Sequence, residues 1–173
     1  MHIRPYPAAG HKLASLRALT PDEYGCVCAW AIAEQWSGLR KGSVLRSEEF
    51  SDILGLPGHS SFAMSEGEDA PVIGFGQIWQ SPNGRSNLVR ILIDPGLRGR
   101  GHGKQLCALL LAKALALATD REVYLRVRSD NLPAIAVYRS LGFRDLEAES
   151  HPHVLVMVLV APACVAGTVP ILE

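Results

Sequence analysis

The chain reads as an α/β fold with the element order β-α-α-β-β-β-α-β-α-β-β, and three observations lead there. Residues 87–118 run from an apolar strand through a glycine-rich turn into a long Leu/Ala-rich helix. Residues 122–128 alternate Val123, Leu125 and Val127 with more polar neighbours, the period of a strand with one buried face. Residues 59–65 and 71–80 form two strand-like runs joined by the acidic turn Glu66-Gly67-Glu68-Asp69, as in a hairpin. A length of 173 residues suits one domain with a real core. The expected division is a lead-in over 1–12, the domain over 13–160 and a C-terminal extension over 161–173.

Taken in order, Pro5, Pro7 and Gly10 make residues 1–12 irregular, and residues 13–19 alternate as a first strand. Thr20-Pro21-Asp22-Glu23 is a helix start: a Thr cap, proline in the first turn and a glutamate placed to close a capping box. That helix is expected to reach Trp36 and stop before Ser37-Gly38. Residues 38–44 are basic and polar, a mobile loop by composition. Ser47-Glu48-Glu49-Phe50 opens a shorter helix, which Gly55 and Pro57 end. After the hairpin, Ser81-Pro82-Asn83-Gly84 is a turn and residues 87–93 the next strand. Asn131 caps a helix with Pro133 in its first turn and Gly142 at its end. Residues 143–149 and 153–160 are expected as the closing strands.

Composition excludes several classes. Seventeen basic and seventeen acidic residues balance to zero, so no polyanion partner is implied and nucleic acid is not expected as a ligand. Cys26, Cys28, Cys107 and Cys164 show neither paired zinc spacing nor the density of a disulfide scaffold, and no metal is implied. Cys107 falls on an apolar helix as a small core residue. The first residues carry prolines in place of a leader's apolar stretch, and the apolar runs near 106–118 and 154–166 are too short or interrupted to span a bilayer. A cytoplasmic setting without a membrane partner is expected; oligomeric state leaves no signature.

The turn after residues 87–93 carries the chemistry. Arg98-Gly99-Arg100-Gly101-His102-Gly103-Lys104 stands between a strand and a helix N-terminus, where unpaired N–H groups and the helix dipole attract an anion. Glycine lets the backbone approach a bulky phosphate, and Arg98, Arg100 and Lys104 add full charges. A P-loop would need glycine where Arg98 stands and Ser or Thr where Gln105 stands. A dinucleotide fingerprint read from Gly99 would need glycine or alanine at Lys104. What fits is Arg-x-x-Gly-x-Gly, Arg98 to Gly103, after a strand ending Ile-Asp-Pro. This resembles the pyrophosphate-binding motif of the GCN5-related N-acetyltransferases (GNAT).

A second run, from Asp130-Asn131 through Tyr138 to Gly142-Phe143, is similar to that family's later signature. The element order is the family's too, and the resemblance spans residues 13–160. The subgroup most resembled is the ribosomal-protein alanine N-acetyltransferase type. The resemblance implies the GNAT fold, a central mixed, mostly antiparallel sheet flanked by helices. It also implies direct transfer from acetyl-CoA to an amine. Ile91 and Ile93 would pair with the pantetheine arm, and the amides of Arg98, Gly99, Arg100, Gly101, His102 and Gly103, with Lys104, would hold the pyrophosphate. Asn131 would contact the pantetheine, and Tyr138 would protonate the departing thiolate. By pattern alone, Tyr138 is in step with Ala134 and Leu141 as a packing residue and Asn131 is a cap.

One position departs from the subgroup. Where it carries a glutamate as general base, this chain has Arg126, and a guanidinium cannot accept a proton at neutral pH. Asp94, His59 and the acidic 66–69 turn are candidate replacements. Alternation puts Arg126 opposite Val123, Leu125 and Val127, on a face that Arg90 of the neighbouring strand can share. Two arginines there suit an acceptor carrying an amine and an anionic group, a small metabolite. Protein N-termini or lysines are the alternative acceptors. An acetyl-CoA-binding sensor without turnover is the alternative of another class.

Overall fold

The computed structural model describes residues 13–36 and 43–162. The expected lead-in, the extension beyond 162 and most of the 38–44 loop therefore lie outside the described residues. The elements are β1 (Ser15–Arg17), α1 (Tyr24–Ala33), α2 (Phe50–Leu54), β2 (His59–Ser65), β3 (Gly74–Gln80), β4 (Ser86–Ile93), α3 (His102–Leu117), β5 (Glu122–Arg128), α4 (Leu132–Ser140), β6 (Arg144–Asp145) and β7 (Val154–Val160). This is the expected order. One seven-stranded sheet runs β1-β2-β3-β4-β5-β7-β6, antiparallel except where β4 meets β5.

Two apolar layers cover the sheet. Leu106, Cys107, Leu110, Leu111 and Ala114 recur at helical spacing along α3 and pack with Ile135 and Tyr138 of α4 on Ile78, Leu88, Val123 and Leu125. Leu106 and Leu110 are fully buried, each worth roughly 1.5–3 kcal/mol of transfer free energy. A Cβ at Gly76 would lie 2.5 Å from Leu110 Cδ1, so glycine in β3 lets α3 lie close on the sheet. On the other face Val27, Cys28 and Ala31 of α1 and Phe50 and Ile53 of α2 pack on Ala63, Phe75 and Leu92.

Several boundaries differ from expectation. Residues 21–23 form a 3-10 turn, and α1 proper ends at Ala33. The Glu23 carboxylate accepts from the Thr20 N–H at 3.0 Å and is gripped by Arg17 at 2.6 Å, which holds its carboxyl down at about 2. The first strand is shorter than residues 13–19, and β3 begins at Gly74 rather than Pro71. The expected strand over 143–149 is corrected to the two residues of β6. After Asp145 the chain leaves the ladder, because Ser150 Oγ accepts from the Val156 N–H and donates to the Leu146 carbonyl, pinning a 3-10 turn over Glu147–Glu149.

Candidate active site

Two features of β4 make the site. On one side it is paired with β3 along most of its length; on the other it meets β5 only from Ser86 to Leu88, opposite Val123 to Leu125. Beyond Leu88 the parallel strands diverge and leave a strand edge facing a wedge. The second feature is a β-bulge. Phe75 pairs with Leu92 and Gln77 with Val89, so Gly76 faces both Arg90 and Ile91, and Arg90 has φ +53°. Strict alternation from Leu88 would put Arg90 under α3. The extra residue turns Arg90 to the opposite face, where its guanidinium donates to Gln77 Oε1 at 3.0 Å, and leaves Ile91 and Ile93 on the α3 side.

A cavity of about 460 Å³ fills one side of the wedge, lined by Ile91 and Ile93, the Arg98–Lys104 turn, Asn131 and Tyr138. The turn is built for a backbone-held anion. Asp94 accepts from the Gly96 N–H at 2.8 Å and starts it. Gly99 (φ +74°) and Gly101 (φ +86°) carry it in the left-handed region, with Gly101 as the N-cap of α3. A Cβ at either would meet nothing within 4 Å, so open space lies beside the backbone where a phosphate would rest. Gly103 and Lys104 line the same space, whereas Arg100 and His102 lie outside the lining. His102 Nδ1 is buried without a hydrogen-bond partner among the described residues. The open glycine cradle, the helix N-terminus and the free strand edge together fit a diphosphate carrying an extended amide arm.

Asn131 caps α4, its side-chain oxygen accepting from the Ala134 N–H at 3.3 Å, and also lines the cavity. Tyr138 is 8% exposed, with Phe143 edge-on at 6.0 Å. Burial pushes its phenol well above the ordinary tyrosine range, so it holds its proton at neutral pH. Cys107 also lines the cavity, and burial raises its thiol to about 12. A thiol so protonated is a poor nucleophile, which argues against an acyl-cysteine route.

The other side of the wedge is a wider cavity of about 870 Å³, and it is lined differently. Arg90, Arg126 and Arg128 share it with Trp36, Trp79 and His59. Burial of Arg90 lowers its pKa through desolvation, and Gln77, itself bonded to Ser61 Oγ at 2.8 Å, fixes its direction. Arg128 is engaged by Asp130 at 2.6 Å, whereas Arg126 is exposed and makes no close ion pair among the described residues, interacting only at longer range with the Glu149 carboxylate. His59 stacks on Trp79 with centroids 5.7 Å apart. Ile91, Asn131 and Tyr138 line both cavities, so the two meet there.

Residues 16–143 match the model of the acetyltransferase (GNAT) family. The chain belongs to that family of acyltransferases. It is 36% identical over 86 residues to the N-alpha-acetyltransferase RimI of Mycobacterium tuberculosis, covering 50% of this chain and 52% of that protein. It is 34% identical over 143 residues to a mycothiol acetyltransferase of Clavibacter michiganensis, covering 82% of this chain and 45% of that one. The chain thus spans about half the length of these relatives. Its fold is that of spermidine N-acetyltransferase from Vibrio cholerae, a structure with CoA and spermine, at TM-score 0.68 and 17% identity over 85% of this chain and 95% of that one. The ribosomal-protein-S18-alanine N-acetyltransferase of Escherichia coli superposes at 0.61 and 18% identity, covering 89% and 99%.

Of the residues singled out by sequence, Ile91, Ile93, Arg98, Gly99, Gly101, Gly103, Lys104, Asn131 and Tyr138 converge on the first cavity, and Arg90 and Arg126 on the second. Among the candidate bases, His59 lines the second cavity, but Asp94 caps its own turn and neither it nor residues 66–69 line either cavity. Sequence reasoning missed Glu34. It is the C-cap residue of α1, it lines both cavities, and its carboxylate meets Arg98 Nη2 at 2.7 Å. Nothing in the sequence distinguishes it from any charged residue at a helix end. No helix among the described residues is long and apolar enough to cross a membrane.

Proposed function

We propose that this chain is an acetyl-CoA-dependent N-acetyltransferase that passes the acetyl group directly to a small amine bearing an anionic group. The observation that carries the reading is the meeting of a backbone-lined anion cavity with an arginine-lined second cavity at Ile91, Asn131 and Tyr138. In this reading the amides of the Arg98–Gly103 turn, with Arg98 and Lys104, hold the diphosphate. The open edge of β4 from Ile91 to Ile93 holds the pantetheine by backbone pairing, with Asn131 beside it. The thioester supplies the activated acyl carbon. The Ile93 amide polarises its oxygen, and Tyr138, kept protonated by burial, gives its proton to the leaving sulfur. Arg126, which makes no close ion pair among the described residues though it feels the Glu149 carboxylate, takes the acceptor's carboxylate or phosphate together with Arg90 of the same cavity.

The match to an N-alpha-acetyltransferase supports a second reading, a peptide N-terminus as acceptor. Coenzyme A release from acetyl-CoA, measured with glycine, L-glutamate, L-phenylalanine, spermidine and an alanine-initiated peptide, separates these. Turnover on the amino acids above spermidine and peptide is expected. Preference for the peptide would move the chain to the second reading, and tight acetyl-CoA binding with no turnover on any acceptor would make it a sensor.

A further inference from the structure

The arginine at position 126 leaves this site without the carboxylate that its subgroup uses as base. Among the described residues that line the two cavities only one carboxylate is present, that of Glu34. It lines both, at the end of α1, and the cavities share only Glu34, Ile91, Asn131 and Tyr138. Its present partner is Arg98, which lines the cofactor side alone. Building on the N-acetyltransferase reading, we infer that Glu34 is the catalytic carboxylate that binds the acceptor's ammonium group and takes its proton, and that a diphosphate frees Glu34 by drawing Arg98 onto itself.

The geometry favours such a handover. Both side chains are close to half exposed, 46% for Arg98 and 42% for Glu34, so the pair is weak and costs little to exchange. A diphosphate brings more negative charge than one carboxylate, at a turn whose free amides and helix dipole already favour an anion. Once Arg98 turns to it, Glu34 is left as an unpaired carboxylate at the junction of the two cavities. The other charged or titratable groups on the cofactor side are Lys104, Cys107 and Tyr138. On the acceptor side they are Arg90, Arg126, Arg128 and His59. Among the described residues no second acid lines either cavity; Asp130 and Glu149 lie outside the lining, with Arg128 and Arg126 beside them.

The proton account closes. The acceptor enters as an ammonium ion and passes one proton to the Glu34 carboxylate, leaving a lone pair on nitrogen. That pair forms the C–N bond to the acyl carbon, and the C–S bond breaks with its electrons going to sulfur. Sulfur takes the Tyr138 hydroxyl proton, the tyrosinate recovers one from the acylated nitrogen, and Glu34 releases its own to solvent. One ammonium and one thioester yield one amide, one thiol and one proton.

The test is Glu34→Gln in the full chain, with Glu34→Asp as the conservative variant. With the amine panel above, Glu34→Gln should lower kcat/KM by about a hundredfold and abolish the acid limb of the pH profile, with Glu34→Asp restoring part of both. Wild-type rates and an intact acid limb in Glu34→Gln would overturn the inference and pass the role to His59. Coenzyme A titrated calorimetrically tests the handover without turnover. Glu34→Gln should bind it up to about fivefold more tightly, the worth of an exposed ion pair no longer competing. Weaker binding would mean that Glu34 positions Arg98 for the phosphates, and the handover would be wrong. A wild-type chain inactive on every amine would sink the proposed function instead, while the coenzyme A titration would still judge the handover.

Discussion

The two sides of the β4–β5 wedge are built from different materials. The first cavity is largely backbone: a strand edge, two glycines at positive φ and the first turn of a helix. The second is side chain, with arginines from β4 and β5 and aromatic rings from β2, β3 and the segment after α1. A backbone surface recognises what every cofactor molecule shares, an extended arm and a diphosphate, and constrains sequence only through glycine and its register. A side-chain surface can be re-specified residue by residue with the fold unchanged. In the proposed reading, the family's constant chemistry and its variable acceptor occupy opposite walls of one wedge.

The sharpest way to break this division is at the junction. Tyr138→Phe keeps the apolar ring against Phe143 and removes only the hydroxyl, so folding and acetyl-CoA affinity should hold while single-turnover rates fall by about a hundredfold or more. The sign of the pH effect follows from burial. Because burial raises the pKa of Tyr138, the donor remains protonated through pH 10, where an exposed tyrosine would lose half its protons. No loss of rate from this group is expected on the basic side. A variant as fast as wild type at every pH would reduce Tyr138 to packing.

On the backbone wall, Gly101→Val should follow in size. Its φ of +86° strains any L-residue, at about 1–2 kcal/mol, more for a branched one, and the added methyls would fill the open space beside the turn. Acetyl-CoA affinity should drop by tenfold or more with a modest fall in Tm. A folded variant with unchanged affinity would remove the diphosphate from this turn. Arg98→Ala should be milder. A charge-assisted phosphate contact is worth about 1.5–3 kcal/mol, up to a hundredfold, but Arg98 must first leave Glu34. A loss near tenfold is therefore expected by calorimetry. No loss would assign Arg98 to its ion pair alone.

What could be read from the sequence follows the same division. The order of elements, the β4–turn–α3 unit and the α4 cap were legible because glycine, proline and capping residues act within a few positions of themselves. Of the second cavity only Arg90, Arg126 and His59 were singled out from the sequence; Trp36, Trp79 and Glu34 come from distant segments and meet them only through the sheet. Arg90 was expected on the face of Arg126 and lies there, but for a reason that the sequence does not carry. Nothing in Leu88-Val89-Arg90-Ile91-Leu92-Ile93 marks a bulge, yet without one Arg90 would point under α3, on the face of Leu88. Glu34 was hidden likewise. Its significance rests on Arg98, far along the chain, and on a wedge that no local pattern encodes. The closing strand over 143–149 was overread, because Ser150 diverts the backbone after Asp145.

The smallest effect, and the most specific, is expected from Arg126→Ala. Arg126, exposed on β5, lines the second cavity and makes no close ion pair among the described residues, its one acidic neighbour of note being Glu149. Arg128 on the same face is held by Asp130, and Arg85 by Glu149. Arg126 also feels Glu149, but without a close ion pair, so in the proposed reading its guanidinium can turn to a ligand. An exposed guanidinium contributes less than a buried one, because water screens both partners. Acceptor KM should rise by about threefold to tenfold, roughly 0.6–1.4 kcal/mol, with kcat for a saturating acceptor and acetyl-CoA affinity unchanged. Arg126→Lys should recover part of that, since it keeps the charge and loses the bidentate fork. The contrast between acceptors decides the matter: KM should rise for L-glutamate and stay flat or fall for spermidine, which a cation at this place repels. Equal KM values in wild type and variant across both acceptors would show that Arg126 faces solvent alone, and the anionic group would have to be sought at Arg90.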